Sequence, residues 1–269
     1  MDWDKAYANG DYIPGSDAYP DRWAAAAAAL REGLGDQAQL DIAYGAGDRE
    51  RLDLFHPGGT PHGLVVFVHG GYWRAFAKSD WSHLAAGPLI RGWAVAMIGY
   101  ALCPEVRIRD ITRQVGAGIE LAARRVAGPV RLTGHSAGGH LVARMLCQDT
   151  PLSAPVLRRI ALALPISGLA DLRPLLGTRL NDDLHLDAEE ALAESPALST
   201  PYIHAPVICW AGDQERPEFR RQTALLANIW TGMGVRTMHM EAAGYHHFNV
   251  IDGLCEPQSD LTNTLLAQM

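Results

Sequence analysis

Residues 130–140 read Val130-Arg131-Leu132-Thr133-Gly134-His135-Ser136-Ala137-Gly138-Gly139-His140: an apolar run, the pentapeptide G-x-S-x-G, then the start of a helical pattern. A serine between a buried strand and a helix has to turn the chain sharply, and flanking glycines remove the side chains such a turn would crowd. The turn lifts the hydroxyl clear of the sheet, where a histidine can reach it. By itself the pentapeptide also fits a glycine-rich loop whose serine caps the next helix. Its position between strand and helix favours Ser136 as a nucleophile.

The segments on either side agree with such a turn. Apolar runs at residues 63–69, 93–100, 129–133, 160–166 and 207–211 suit strands buried on both faces. Helical patterns separate them at 80–91, 109–126, 139–148 and 217–233, with a last strand expected at 235–240 and a closing helix at 260–268. The alternation predicts an α/β fold, a mostly parallel central sheet with helices on both faces. Residues 38–44 and 51–55 partly alternate apolar and polar side chains, as on a half-exposed antiparallel edge, and Gly45-Ala46-Gly47-Asp48 between them is a hairpin signal. Residues 1–20, rich in Tyr, Gly, Pro and Asp, predict an irregular N-terminal arm, followed by a helix from Asp21 that closes at Gly35. Residues 169–204 hold no buried strand, only short helical pieces such as 188–194, and predict a small lid-like insertion. The 269 residues, without linker or repeat, form a single expected domain, 1–269.

Composition narrows the function. The net charge is −7 and lysine and arginine do not cluster, which argues against a nucleic-acid partner that would need its phosphates neutralised. The N-terminus lacks the basic and apolar regions of a signal peptide, and no run approaches the length of a membrane span, so no membrane role and a cytoplasmic location are expected. Cys103, Cys147, Cys209 and Cys255 lie far apart within or beside apolar segments, as buried thiols do. His135 and His140 do not form an H-E-x-x-H pair, so neither a metal nor another cofactor is expected. A small-molecule ester or amide is the expected partner, and a homodimer is compatible with the sequence.

A serine hydroxyl needs a base, the base needs an orienting acid, and the oxyanion formed on the attacked carbonyl needs donors. His69-Gly70-Gly71-Tyr72-Trp73 closes the first buried run, and its glycines allow a turn that aims bare N–H groups. Gly70, Gly71 and Tyr72, with Ala137 after the serine, are the candidate donors; His69 is expected to brace the loop. The acid should lie after the 207–211 strand, where Asp213, Glu215 and Glu218 occur; Glu215 is favoured over Asp213, and Glu218 suits the first turn of the next helix. The base should follow the last strand, where His246 and His247 offer equal choices. His204, ahead of a strand, and His239, within one, are poorer placed.

Taken together, His69-Gly70-Gly71-Tyr72-Trp73, Gly134 to His140, Glu215-Arg216-Pro217-Glu218-Phe219-Arg220-Arg221-Gln222 and His247-Phe248 resemble the kynurenine formamidase (arylformamidase) branch of the α/β-hydrolases. The likeness covers nearly the whole chain and is similar to bacterial members grouped as candidate esterases. It implies an α/β-hydrolase fold, Ser136 as nucleophile, His247 as base and Glu215 as acid. Many members carry aspartate at that acid position; the glutamate here departs from them and leaves Asp213 as the alternative. The resemblance also implies Trp73 in the substrate pocket, where Tyr72 and His135 are expected as well, and N-formylkynurenine as an aryl formamide substrate. A carboxylesterase using the same three residues is the rival expectation. A non-catalytic binding protein of the same fold is the more remote one, since all three positions are filled.

Overall fold

A computed structural model describes residues 2–202 and 205–268. Its centre is an eight-stranded sheet in the order β1-β2-β4-β3-β5-β6-β7-β8. The strands are β1 Ala38–Ala43, β2 Arg51–Phe55, β3 Leu64–Val68, β4 Ala94–Ile98, β5 Val130–His135, β6 Ile160–Ile166, β7 Val207–Gly212 and β8 Thr237–Ala242. β1 pairs antiparallel with β2 and β2 antiparallel with β4, while the pairs from β4 through β3, β5, β6 and β7 to β8 are parallel. The helices are α1 Trp3–Tyr7, α2 Tyr19–Leu34, α3 Ala86–Ile90, α4 Ile108–Arg125, α5 Ala137–Arg144, α6 Ala154–Leu157, α7 Asn181–Leu184, α8 Ala188–Ala193, α9 Pro217–Gly232 and α10 Asp260–Leu266.

The pleat of β3 divides the core. Leu64, Val66 and Val68 face a cluster with Ile111, Val115 and Ile119 of α4, Leu141 of α5 and Phe219 and Trp230 of α9. Val65 and Phe67 face a second cluster with Trp23, Trp81, Ile251 and Leu265. Every residue of β3 and β4 is therefore buried, as their unbroken apolar runs require. The parallel strands all present their C-terminal ends on one side, and there the turns after β3, β5, β6, β7 and β8 gather.

Three expectations change. β2 is not a half-exposed edge: β1 on one side and β4 on the other leave Leu52 to Phe55 fully buried, and its Asp53 is paired with Lys78. Of these two strands only β1, at one edge of the sheet, is largely exposed. The 80–91 segment is a 3₁₀ helix, Lys78–Ala85, that passes into α3, because Trp81, Leu84 and Ala85 must all reach the second core cluster. The N-terminal arm is not irregular throughout. Asp2 caps α1, whose Tyr7 is buried, and short 3₁₀ turns lead on to α2.

The expected insertion is built from a 3₁₀ turn, Arg173–Gly177, then α7, α8 and another turn at Pro196–Leu198. It is pinned rather than loose: Glu194 takes hydrogen bonds from Thr112 and Arg144, and Glu190 from Arg107. Its last expected positions, Ile203 and His204, lie outside the described residues. Cys103, Cys147 and Cys209 are buried free thiols, and Cys255 is a free thiol only half-buried.

Candidate active site

Ser136 stands between β5 and α5 with φ 55 and ψ −116, a conformation that side-chain-bearing residues seldom adopt. The strain rests on the serine; the glycines serve close approach. A Cβ on Gly138 would come within 1.9 Å of the Val68 carbonyl oxygen, and one on Gly134 within 2.5 Å of that of Gly138. The elbow is locked from the next strand, where the Ile166 carbonyl accepts the Ser136 N–H at 2.8 Å.

After β3 the chain passes against this elbow. A Cβ on Gly70 would lie 3.1 Å from the Ser136 Cβ, so only glycine lets the loop approach so closely. Gly71 has φ 108, followed by Tyr72 at 49 and Trp73 at 57. The N–H groups of Gly71 and Tyr72, and that of Ala137 at the start of α5, have no acceptor among the described residues. Gly70 turns its carbonyl to the His69 ring at 2.8 Å. His69 braces the loop as expected: its ring stacks on Tyr100 at 4.2 Å, and burial pushes it down to about 3, so it stays neutral.

The turn after β7 puts Glu215 underneath. Its carboxylate is fully buried, with Oε2 2.6 Å from His247 Nδ1. Oε1 accepts from Gly212 N–H at 2.8 Å and from the Ser167 hydroxyl. A carboxylate can only accept, so the proton between it and His247 sits on Nδ1, and Nε2 is left for exchange. Asp213, the alternative acid, is turned outward and caps the loop by accepting from Gly244 N–H at 2.7 Å. Among the histidine pair, His246 is occupied by Tyr19 at 3.2 Å and by its own turn through Phe248 N–H at 3.2 Å. His239 lies exposed on β8, 3.7 Å from Glu241.

Ser136 and His247 open onto one cavity of about 690 Å³, which His135, Tyr72, Trp23, Trp81, Phe76 and Phe248 also line. The His135 ring lies 4.6 Å from that of His247, and burial together with this neighbour holds it far below the usual histidine range. Trp73 is a correction: its indole is fully buried and packs edge-on against His140 of α5 at 5.0 Å, outside the cavity. The successive left-handed residues turn Tyr72 toward the cavity and Trp73 into the core. The aromatic walls come instead from Trp23 on α2 and Trp81 on the 3₁₀ helix, neither of which carries a motif.

The roof comes mostly from the N-terminal segment, including Tyr7 and Asn9, with Arg179 and Leu180 from the insertion. Glu218 clamps this segment. It accepts from the Tyr7 hydroxyl at 2.8 Å, from Gln222 and from Arg221. Burial opposes its charge, but these donors prevail and hold the carboxyl below its usual range. Sequence reading also missed Ser167; its one signal was the Ser167-Gly168 pair ending an apolar run. Among the described residues no group of three or more His, Cys, Asp or Glu is placed to hold a metal, and no helix is long and apolar enough to cross a membrane.

A hydroxyl at a strained turn, an imidazole tied to a buried carboxylate and unpaired N–H groups on two converging loops can together carry acyl transfer. The fold is that of an α/β-hydrolase. An esterase of Pyrobaculum calidifontis, 16% identical, superposes over 93% of this chain and 91% of its own with a TM-score of 0.70. A candidate thioesterase of Silicibacter sp. TM1040 superposes over 99% of this chain and 100% of its own, at 52% identity and a TM-score of 0.95. The kynurenine formamidase of Salmo salar is 30% identical over 216 residues, 77% of this chain and 72% of its own, and that of Danio rerio 29% identical over 212 residues, 76% and 71%. The chain therefore belongs to the kynurenine formamidase family and is a hydrolase. No protein-family model matches it.

Proposed function

We propose that this hydrolase cleaves an aryl formamide, of the type of N-formylkynurenine, through an acyl-serine intermediate. One observation carries the reading: His247, held 2.6 Å from the buried Glu215 carboxylate, lines the same aromatic-walled cavity as the strained Ser136. His247 Nε2 takes the hydroxyl proton as Ser136 Oγ bonds to the formyl carbon, and the N–H groups of Gly71, Tyr72 and Ala137 receive the oxyanion. The protonated ring, paired with Glu215, then gives that proton to the aryl nitrogen as the C–N bond breaks. Water, deprotonated by His247 Nε2, attacks the formyl ester; formate leaves as Nε2 returns that proton to Ser136 Oγ. Trp23, Trp81 and Phe248 line the wall against which an aryl group would pack.

A second reading, hydrolysis of a simple ester or thioester by the same residues, is favoured by the 52% identity with the candidate thioesterase. Rates separate the two. We expect kcat/KM for N-formylkynurenine to exceed those for p-nitrophenyl acetate and for an acyl-coenzyme A; the reverse order rejects the formamidase reading. Ser136→Ala should lower kcat by about 10³-fold or more and abolish labelling by a fluorophosphonate probe. Undiminished turnover by that variant rejects the serine mechanism itself.

A further inference from the structure

Ser136 has a counterpart on the neighbouring strand. Ser167 follows β6 directly, has φ 51 against 55 for Ser136, and is fully buried. Its N–H donates to the Trp210 carbonyl of β7 at 2.7 Å. That bond turns the residue out of the strand line, and its hydroxyl reaches Glu215 Oε1. The hydroxyl must be the donor there, because the carboxylate has no proton to give. The residue just before it, Ile166, is the one whose carbonyl holds the Ser136 N–H. One dipeptide at the end of β6 thus grips both the serine elbow and the acid that orients His247.

We infer that Ser167 is a positioning residue: it fixes the carboxylate of Glu215 so that Oε2 faces His247 Nδ1. A glutamate has one more rotatable bond than an aspartate, and an unrestrained carboxylate would turn away from the imidazole for part of the time. Gly212 N–H and the Ser167 hydroxyl converge on Oε1 from two different strand ends, β7 and β6, and together they define the plane of the group. The backbone strain at Ser167 is the geometric cost of aiming a hydroxyl from β6 at an acid that belongs to the loop after β7. The inference rests on the serine mechanism proposed above.

The test is a double-mutant cycle on kcat, in the full-length protein, with p-nitrophenyl acetate or whichever ester is turned over best. Ser167→Ala should lower kcat by about 10- to 100-fold with KM changed less than about twofold, since a misaligned base affects the chemical step rather than binding. Ser167→Gly removes the same hydroxyl and relieves the left-handed strain, so it should lose as much activity while melting no lower than Ser167→Ala. In a Glu215→Ala background, either change should cost less than about twofold. Full activity in both Ser167 variants overturns the inference, and so does an equal loss with and without Glu215, which would mark a purely structural role. Ser136→Ala in the same assay separates the premises. If it stays active, the serine mechanism fails; if it is inactive while the Ser167 variants match the parent, only the positioning role fails.

Discussion

The hydroxyl of Tyr72 donates to the backbone carbonyl of Tyr7, 65 residues earlier, at 2.5 Å. Tyr72 lies in the strained loop whose N–H groups are the proposed oxyanion donors, and Tyr7 anchors the segment that roofs the cavity. Asn9 Nδ2 approaches the same hydroxyl at 3.5 Å, and the Tyr7 hydroxyl is itself bound by Glu218 and Gln222. Roof and loop are therefore one hydrogen-bonded unit rather than two independent parts.

Tyr72→Phe tests that unit. The ring and its packing stay while the Tyr7 carbonyl loses its partner, a cost of about 1 kcal/mol. We expect kcat/KM to fall about three- to tenfold and amide exchange in residues 3–13 to quicken. Unchanged exchange there would show that the roof is held without Tyr72.

The choice between two carboxylates can be read in kinetics. Glu215→Gln should lower kcat by about 10³- to 10⁴-fold, because an amide cannot stabilise the imidazolium and favours the wrong ring tautomer. Asp213→Asn should leave kcat within about twofold, since its bond to Gly244 N–H only shapes an exposed turn. The opposite ranking would reassign the acid.

Stability should fall on acidification. Burial pushes His140 down to about 4 and His69 to about 3, and holds His135 far below its ordinary value of 6.5. A histidine buried in its neutral form contributes stability that is complete above the unfolded value, 6.5, and is lost as pH falls toward the folded one. For His140 and His69 this contribution is on the order of a few kcal/mol each. Asp252, raised to about 6 by burial, acts oppositely: acid relieves its charge, a partial offset to the buried histidines. The melting temperature, followed by circular dichroism, should decline steadily from pH 7 to pH 4.5. A flat profile over that range would contradict the buried neutral rings.

Two glycine substitutions should move stability in opposite directions. Gly138→Ala places a Cβ 1.9 Å from the Val68 carbonyl oxygen, a rigid backbone atom, so little folded protein should be recovered. Gly33, near the end of α2, has nothing within 4 Å of an added Cβ. Gly33→Ala should therefore stabilise by about 0.5–1 kcal/mol, measured by urea unfolding.

The parts of the fold that were legible in sequence share a physical property. Strands β3 to β7 are buried on both faces, so every residue reports the environment, and the elbow announces itself through glycines that backbone contact demands. β2 read as a half-exposed edge because Asp53 interrupts its apolar pattern, although that carboxylate is buried against Lys78. Trp73 looked like a pocket residue beside the H-G-G turn, yet the consecutive positive φ values at Tyr72 and Trp73 send the indole into the core. Such a reversal depends on dihedral angles, which composition and spacing do not encode.

By itself the sequence determined the α/β layout, the Ser136 elbow and the chain order of serine, acid and histidine, because these follow from local burial patterns and short-range turn geometry. Between His246 and His247 the local sequence was evenly divided, and between Asp213 and Glu215 it only leaned. Tertiary structure decided which member of each pair faces inward: Glu215 meets His247 at 2.6 Å, whereas Asp213 and His246 are taken up by their own turns. It also decided what closes the cavity, an N-terminal helix held by Glu218, and what steadies the acid, the hydroxyl of Ser167. The Ser167–Glu215 and Tyr7–Glu218 contacts join residues 48 and 211 positions apart, and only the packing of the β6, β7 and α9 ends against one another brings them within hydrogen-bond reach.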